Sequence, residues 1–145
     1  MKLSVHIREF NLSSDYLAVL DLWGGMEQGV KVGRSDSPGE IQKKLERDPD
    51  LFLVAEAGGR VIGTVMGAFD GRRGMIYHLA VRSDVRRQGI ASSLMNEVER
   101  RLIARGCVKC YLLVFSDNHD AVKFYERLGW KELTENRILG KEFPS

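Results

Sequence analysis

The chain has 145 residues, 43% of them hydrophobic and 29% charged, with a formal net charge of +2. Its length suits one domain spanning 1–145 with a real core, and so small a charge argues against a nucleic-acid partner. No apolar run approaches ~18 residues and Met1-Lys2-Leu3 leads straight into a strand pattern, so neither a membrane span nor a signal peptide is expected, and the location expected is cytoplasmic.

Residues 3–8 alternate apolar and polar and read as a first strand. Ser13-Ser14-Asp15 signals the start of a short helix turning Leu17, Leu20 and Trp23 inward. Gly24 to Asp36 holds several glycines and no clear period, and a loop of that length is usually functional. Ser37-Pro38-Gly39-Glu40 is a capping box opening a helix to about Arg47, with Ile41 and Leu45 as its apolar face. Asp48-Pro49-Asp50 stops it. Leu51 to Ala57 and Arg60 to Phe69 read as strands joined by a Gly58-Gly59 turn. A second hairpin connection, Asp70 to Gly74, feeds a buried strand from Ile76 to Val81.

A basic turn, Arg86-Arg87-Gln88-Gly89, then precedes a helix on which Ile90, Leu94, Val98 and Leu102 form one stripe, with Gly106 placed to cap its end. Cys107 and Cys110 lead into a strand from Tyr111 to Val114 and lack the partners of a zinc site, so reduced structural thiols and no metal are expected. Ser116-Asp117-Asn118 starts a helix carrying Ala121, Phe124, Tyr125 and Leu128 on one face, and Gly129 ends it. Two short strands, Trp130 to Leu133 and Arg137 to Glu142, are expected to close the chain.

The turn before Ile90 carries the chemistry. A helix start presents unpaired N–H groups and about half a positive charge, and Gly89 has no side chain to hold an anion away. Arg86 and Arg87 add charge of the kind that pairs with phosphate. Neither G-x-x-x-x-G-K-[ST] nor G-x-G-x-x-G is present, which removes the two commonest phosphate loops. What stands there is Arg86-x-x-Gly89-x-Ala91 after Leu79-Ala80-Val81, and it resembles the acetyl-CoA signature [Q/R]-x-x-G-x-[G/A] of the GNAT superfamily of N-acetyltransferases. Asn118-x-x-Ala121-x-x-Phe124-Tyr125-x-x-x-Gly129-Trp130 is similar to a second segment of that family, with tryptophan in place of the usual phenylalanine or tyrosine. The order of elements resembles the family from end to end.

The resemblance implies an α/β (α+β) GNAT fold: a mixed, largely antiparallel sheet of about seven strands, splayed between the fourth and fifth, with about four helices. It implies that the pantetheine arm of acetyl-CoA lies in the splay. The backbone of Leu79 and Val81 would then pair with the arm, and Arg86, Arg87, Gln88, Gly89, Ile90, Ala91 and Ser92 would cradle the pyrophosphate. Asn118 would bond the pantetheine from the other side. Arg87 departs from the family, where many members have glycine. The implied activity is direct acetyl transfer to a primary amine, with Tyr125 protonating the departing thiolate.

From ordinary pKa values that proton transfer is uphill by about 2 kcal/mol. The base that relieves the amine of its proton stays open among Tyr77, His78, Glu56 and water. Alternation puts Tyr77 on the face of Leu79 and Val81, and His78 on the other, unless a bulge reverses them. Glu27, Asp36 and Glu135 lie in the segments that set acceptor choice in this family, where they could meet a cation. Bacterial ribosomal-protein N-terminal acetyltransferases and small-molecule amine acetyltransferases share the layout, so peptide and small-molecule acceptors both stand. The rival from another class is a non-catalytic acyl-CoA-binding module. No membrane partner is expected, and a homodimer is left open.

Overall fold

The computed structural model describes residues 3–26 and 30–144. Five strands lie side by side in chain order: β1 (His6–Glu9), β2 (Phe52–Ala57), β3 (Arg60–Phe69), β4 (Gly74–Val81) and β5 (Cys110–Leu112). The first four pair antiparallel and β5 joins β4 in parallel. Gly58 and Gly59, at φ 58° and 76°, supply the left-handed pair that a two-residue hairpin between β2 and β3 demands.

Four helices cover the sheet: α1 (Leu12–Gly24), α2 (Pro38–Arg47), α3 (Ile90–Ala104) and α4 (His119–Arg127). The expected stripe Ile90, Leu94, Val98 and Leu102 is buried against one face, with Phe124 and Tyr125 of α4, and Leu128 just after that helix, packed beside it. Two glycines let α3 approach. A Cβ on Gly67 would sit 2.8 Å from Val98 Cγ2, and one on Gly63 would sit 3.0 Å from Leu94 Cδ1. The opposite face carries α1 and α2 through Val19, Leu22, Trp23 and Ile41. Among the described residues no helix is long and apolar enough to cross a membrane.

Three expectations need correction. Leu17 points outward and is 81% exposed, while Val19, Leu22 and Trp23 are buried. Helix α1 begins one residue after Asn11, whose side chain accepts from Ser14 N–H, and this start turns the i, i+3, i+4 face onto Val19. The fifth strand is shorter than expected, Cys110–Leu112 in place of Tyr111 to Val114. The sheet has five strands, not about seven, because residues 130–144 form none. Asn136 N–H turns back to the Leu133 carbonyl, yet Leu133, Ile138 and Leu139 stay exposed, so no apolar row gives a ladder a face to bury. The tail is held instead by Arg34, which donates to the Phe143 carbonyl and lies 3.8 Å from Glu142.

Candidate active site

Strands β4 and β5 pair through Gly74↔Cys110, Met75↔Tyr111 and Ile76↔Leu112, and from Tyr77 onward β4 has no partner strand on that edge, which leaves a gap there. On its other edge β4 carries an additional residue. Thr64 pairs with Ala80 and Met66 with Tyr77, so two residues of β4 (His78 and Leu79) face one of β3. His78 takes up the excess at φ 50°, a left-handed conformation that costs a non-glycine residue about 1–3 kcal/mol. Its surroundings hold it there. Thr64 Oγ1 donates to the His78 carbonyl at 2.9 Å, Trp23 Nε1 donates to Thr64 Oγ1 at 2.9 Å, and the imidazole packs edge-on to Trp23 at 4.6 Å.

The bulge decides which way β4 faces. Ile76, Leu79 and Val81 all meet the core under α3, which strict alternation forbids for residues three apart. Tyr77 stands opposite Met66, part of the core under α1 and α2, so Tyr77 and His78 share that face. The expectation that Tyr77 sits with Leu79 and Val81 is thereby reversed. The peptide edges follow by counting. Arg82 N–H bonds Ile62 of β3 at 2.9 Å, so the N–H and C=O groups of Leu79 and Val81 turn the other way, into the gap. Arg86 Nε reaches the Val81 carbonyl there at 3.4 Å.

The gap runs into the turn. Arg87 at φ 65° and Gly89 at φ 76° are both left-handed, and Gly89 caps α3 with no side chain. The first bond back along the helix is Ser93 N–H to the Gly89 carbonyl, leaving the N–H groups of Ile90, Ala91 and Ser92 without an acceptor in the helix. A Cβ on Gly89 would meet nothing within 4 Å, so the approach to these N–H groups is open. Arg86 and Arg87 are exposed; Arg86 turns its guanidinium to Met26 Sδ at 3.8 Å, and Gln88 Oε1 accepts from Leu3 N–H at 3.4 Å. Arg86 also borders an open cleft of about 290 Å³ beneath the end of α1, shared with Arg60 and Arg82. Those two are paired with Asp84 and Asp21 at 3.1 and 3.2 Å.

Helix α4 supplies two further groups. Asn118 is 9% exposed and caps the helix, its Oδ1 accepting from Ala121 N–H at 3.2 Å. Its side-chain N–H groups have no partner among the described residues. Tyr125 packs edge-to-face on Phe124 at 5.2 Å and Trp130 at 6.4 Å. Burial pushes its phenol up to about 12, so the proton stays on and the group can serve as an acid but not as a base. Passing it to a thiolate whose thiol lies near ~8.5 is uphill by about 5 kcal/mol, more than the ordinary tyrosine value implies.

The other acids and bases separate. Glu56 lies on β2, bonded to Arg8 at 2.7 Å, with β3 between it and β4. Tyr77 is 40% exposed. Asp36, one of three acids that could meet an acceptor cation, is 7% exposed and points inward, with Oδ1 3.0 Å from His78 Nε2 and Oδ2 accepting from Gly33 N–H at 3.0 Å. Glu135 is exposed, and Glu27 lies outside the described residues. Cys107 and Cys110 are free thiols, both turned toward Gly74; burial and then the neighbouring Cys107 push Cys110 up to about 12, which keeps it an inert thiol. Among the described residues no three acidic, histidine or cysteine side chains gather as metal ligands.

Fold and site together define a five-stranded α/β sheet whose fourth strand has an open edge leading to the unpaired N–H groups at the start of α3. The sequence profile described as the Acetyltransferase (GNAT) family matches residues 18–130. An acetyltransferase of Pectobacterium atrosepticum is 42% identical over 137 residues, 94% of each chain. Ard1 of Thermoplasma volcanium superposes with a TM-score of 0.76 at 24% identity, covering 88% of this chain and 82% of that one. The PaiA N-acetyltransferase of Thermoplasma acidophilum, solved in complex with coenzyme A, gives 0.72 at 18% identity, covering 89% and 91%. The chain belongs to the GNAT family of acetyltransferases. It is an acyltransferase, and the donor used in its family is acetyl-CoA.

Proposed function

We propose that this enzyme transfers the acetyl group of acetyl-CoA directly to a primary amine of a peptide or small molecule. The observation that carries the reading is the continuous open edge from Leu79 and Val81 to the start of α3. An extended thiol arm with two amides suits the first part, and a pyrophosphate suits the second. In this reading the N–H groups of Ile90, Ala91 and Ser92, with Gly89 giving access and Arg86, Arg87 and Gln88 on the rim, hold the pyrophosphate. The backbone of Leu79 and Val81 pairs with the arm, and an N–H donor there steadies the oxygen that gains charge as the thioester carbon is attacked. Asn118 donates to the arm from the far side. Tyr125 protonates the departing sulfur.

A thermal melt with acetyl-CoA, free CoA, ATP and NAD at equal concentrations tests the first half. A ligand at a hundredfold over its Kd stabilises by about 2.7 kcal/mol, a shift of several degrees for a domain of this size. A rise with the two CoA species alone is expected; no shift at saturating acetyl-CoA overturns the reading. Thiol release with a peptide bearing a free N-terminal amine, and with spermidine, tests the second half. Tight acetyl-CoA binding without transfer to any amine favours the acyl-CoA-binding module instead.

A further inference from the structure

Holding acetyl-CoA makes no use of the Asp36–His78 pair, yet the pair is built with care from distant parts of the chain. Asp36 comes from the connection between α1 and α2, 42 residues before His78. Both carboxylate oxygens are occupied, one by His78 Nε2 and one by Gly33 N–H, and the Asp36 carbonyl accepts from the Tyr16 hydroxyl at 2.9 Å. A carboxylate can only accept, so in the neutral imidazole Nε2 carries the proton and Nδ1 carries the free lone pair. Nδ1 has no partner among the described residues, and no side-chain nitrogen or oxygen there is both sealed from solvent and unbonded. The imidazole therefore offers a basic nitrogen to the surface, held by a buried acid. That is the construction by which a carboxylate orients a general base.

Its place on the bulge gives it a task. His78 precedes Leu79, whose peptide edge opens into the gap, and its ring lies on the α1–α2 face. Tyr125 packs on the α3–α4 face. The imidazole and the phenol thus lie on opposite faces of the sheet. We propose that His78 is the general base for the acceptor amine and that Asp36 is its positioning residue; this rests on the acetyl-CoA reading above. The acceptor arrives as an ammonium ion and gives one proton to His78 Nδ1. Its lone pair then forms the C–N bond to the thioester carbon, the carbonyl pair moves to oxygen, and on its return the C–S bond breaks with its electrons on sulfur. The sulfur takes the proton of Tyr125, the phenolate recovers one from the new amide nitrogen, and His78 releases its proton to solvent. Tyr77 precedes His78 on β4, and the Tyr16 hydroxyl of α1 bonds the Asp36 carbonyl.

The alternative is that His78 only locks the bulge, and the test must separate the two. His78→Gln keeps an amide N–H for Asp36 but is no base; Asp36→Asn can donate to Nε2 and so drive the proton onto Nδ1. For wild type and both variants, kcat/KM is measured by thiol release from pH 6 to 10 (roughly the range in which a histidine base is exposed). The probes are a peptide with a free N-terminal amine, spermidine, and hydroxylamine, which is already unprotonated at neutral pH. The Kd for acetyl-CoA is measured alongside. With the peptide or spermidine, a fall of roughly 10²–10³ in each variant is expected, with the acidic limb of the profile in His78→Gln moving up to follow the ionisation of the free amine itself. Transfer to hydroxylamine and the Kd for acetyl-CoA should change by less than about threefold on the same reasoning. A proportional loss for every nucleophile, or an unchanged profile in His78→Gln, overturns the proposal. If His78→Gln does not fold, Asp36→Asn decides by the same criteria. A wild type that binds acetyl-CoA and acetylates none of the three overturns the acetyltransferase reading and the base with it.

Discussion

Tyr125 shows how one side chain takes its chemistry from its neighbours. Its ring sits between Phe124 and Trp130, and the burial they impose raises its phenol to about 12. In the proposed role, proton donation to the sulfur would be costly as a separate step and would gain most by accompanying C–S cleavage. Tyr125→Phe should slow turnover by roughly 10²–10⁴ and leave the Kd for acetyl-CoA unchanged; an unaltered rate would remove the residue from the mechanism. The sign of its pH dependence also follows. A phenol raised above its ordinary value stays protonated until the pH exceeds that raised value, so turnover should not decline through pH 10 on account of Tyr125. Its position on the helix face was legible from spacing alone. The cost of its proton was not, because desolvation depends on which rings close around it.

Helix α4 illustrates a conflict between two uses of one residue. Asn118 was legible as a cap and, through the family resemblance, as a ligand to the pantetheine. The oxygen caps the helix, the nitrogen has no partner among the described residues, and the proposed contact with the arm would use that nitrogen. Asn118→Asp retains the capping oxygen and removes the donor. Its melting temperature should hold within about 2 °C, while acetyl-CoA binds about 3–10-fold more weakly, the value of one neutral hydrogen bond. Equal affinity in a titration would show that the side chain is only a cap. At α3 both the stripe and Gly89 were legible, since a helix period and a left-handed glycine are local properties. At residues 130–144 the same local reading fails, because alternation makes a strand only where another strand offers it hydrogen bonds and a face to bury.

At the scale of the molecule, the helices are tied to the sheet by buried charge as well as by packing. Asp48, just beyond α2, is 1% exposed and accepts from Lys44 at 2.9 Å and from Arg105, at the end of α3, at 2.8 Å. Lys44 also donates to the Gly67 carbonyl of β3. Burial alone would raise the Asp48 carboxyl, but the two cations outweigh it and hold it below the ordinary value. Arg8 does the same for Asp15, and Arg100 and Arg101 hold Glu97 down to about 2. Asp48→Asn leaves the half-buried Lys44 short of a counter-charge while Arg105 keeps Asp50, and should cost about 1–3 kcal/mol, read by denaturant unfolding. Depressed carboxyls add stability that is whole above their unfolded values near ~4 and is lost as pH falls through the folded ones. The protein should therefore lose stability steeply between about pH 4.5 and 2, and Asp48→Asn should flatten that slope.

By itself the sequence determined the order of elements as far as α4, the hairpin at Gly58-Gly59, the stripe of α3 and the left-handed glycine that starts it. Each is set by residues within a few positions of one another, where propensity, period and φ preference act. Only the tertiary structure decided that β4 bulges at His78, which way Tyr77 faces, and that Asp36 turns inward to an imidazole 42 residues along the chain. Nothing local announces that pair: an aspartate before a Ser-Pro cap and a histidine in a strand each have a commonplace use. The pair exists because Thr64 and Trp23 hold the strand in its strained turn while the α1–α2 connection folds over it, and contacts of that kind are properties of packing, not of neighbourhood in the chain.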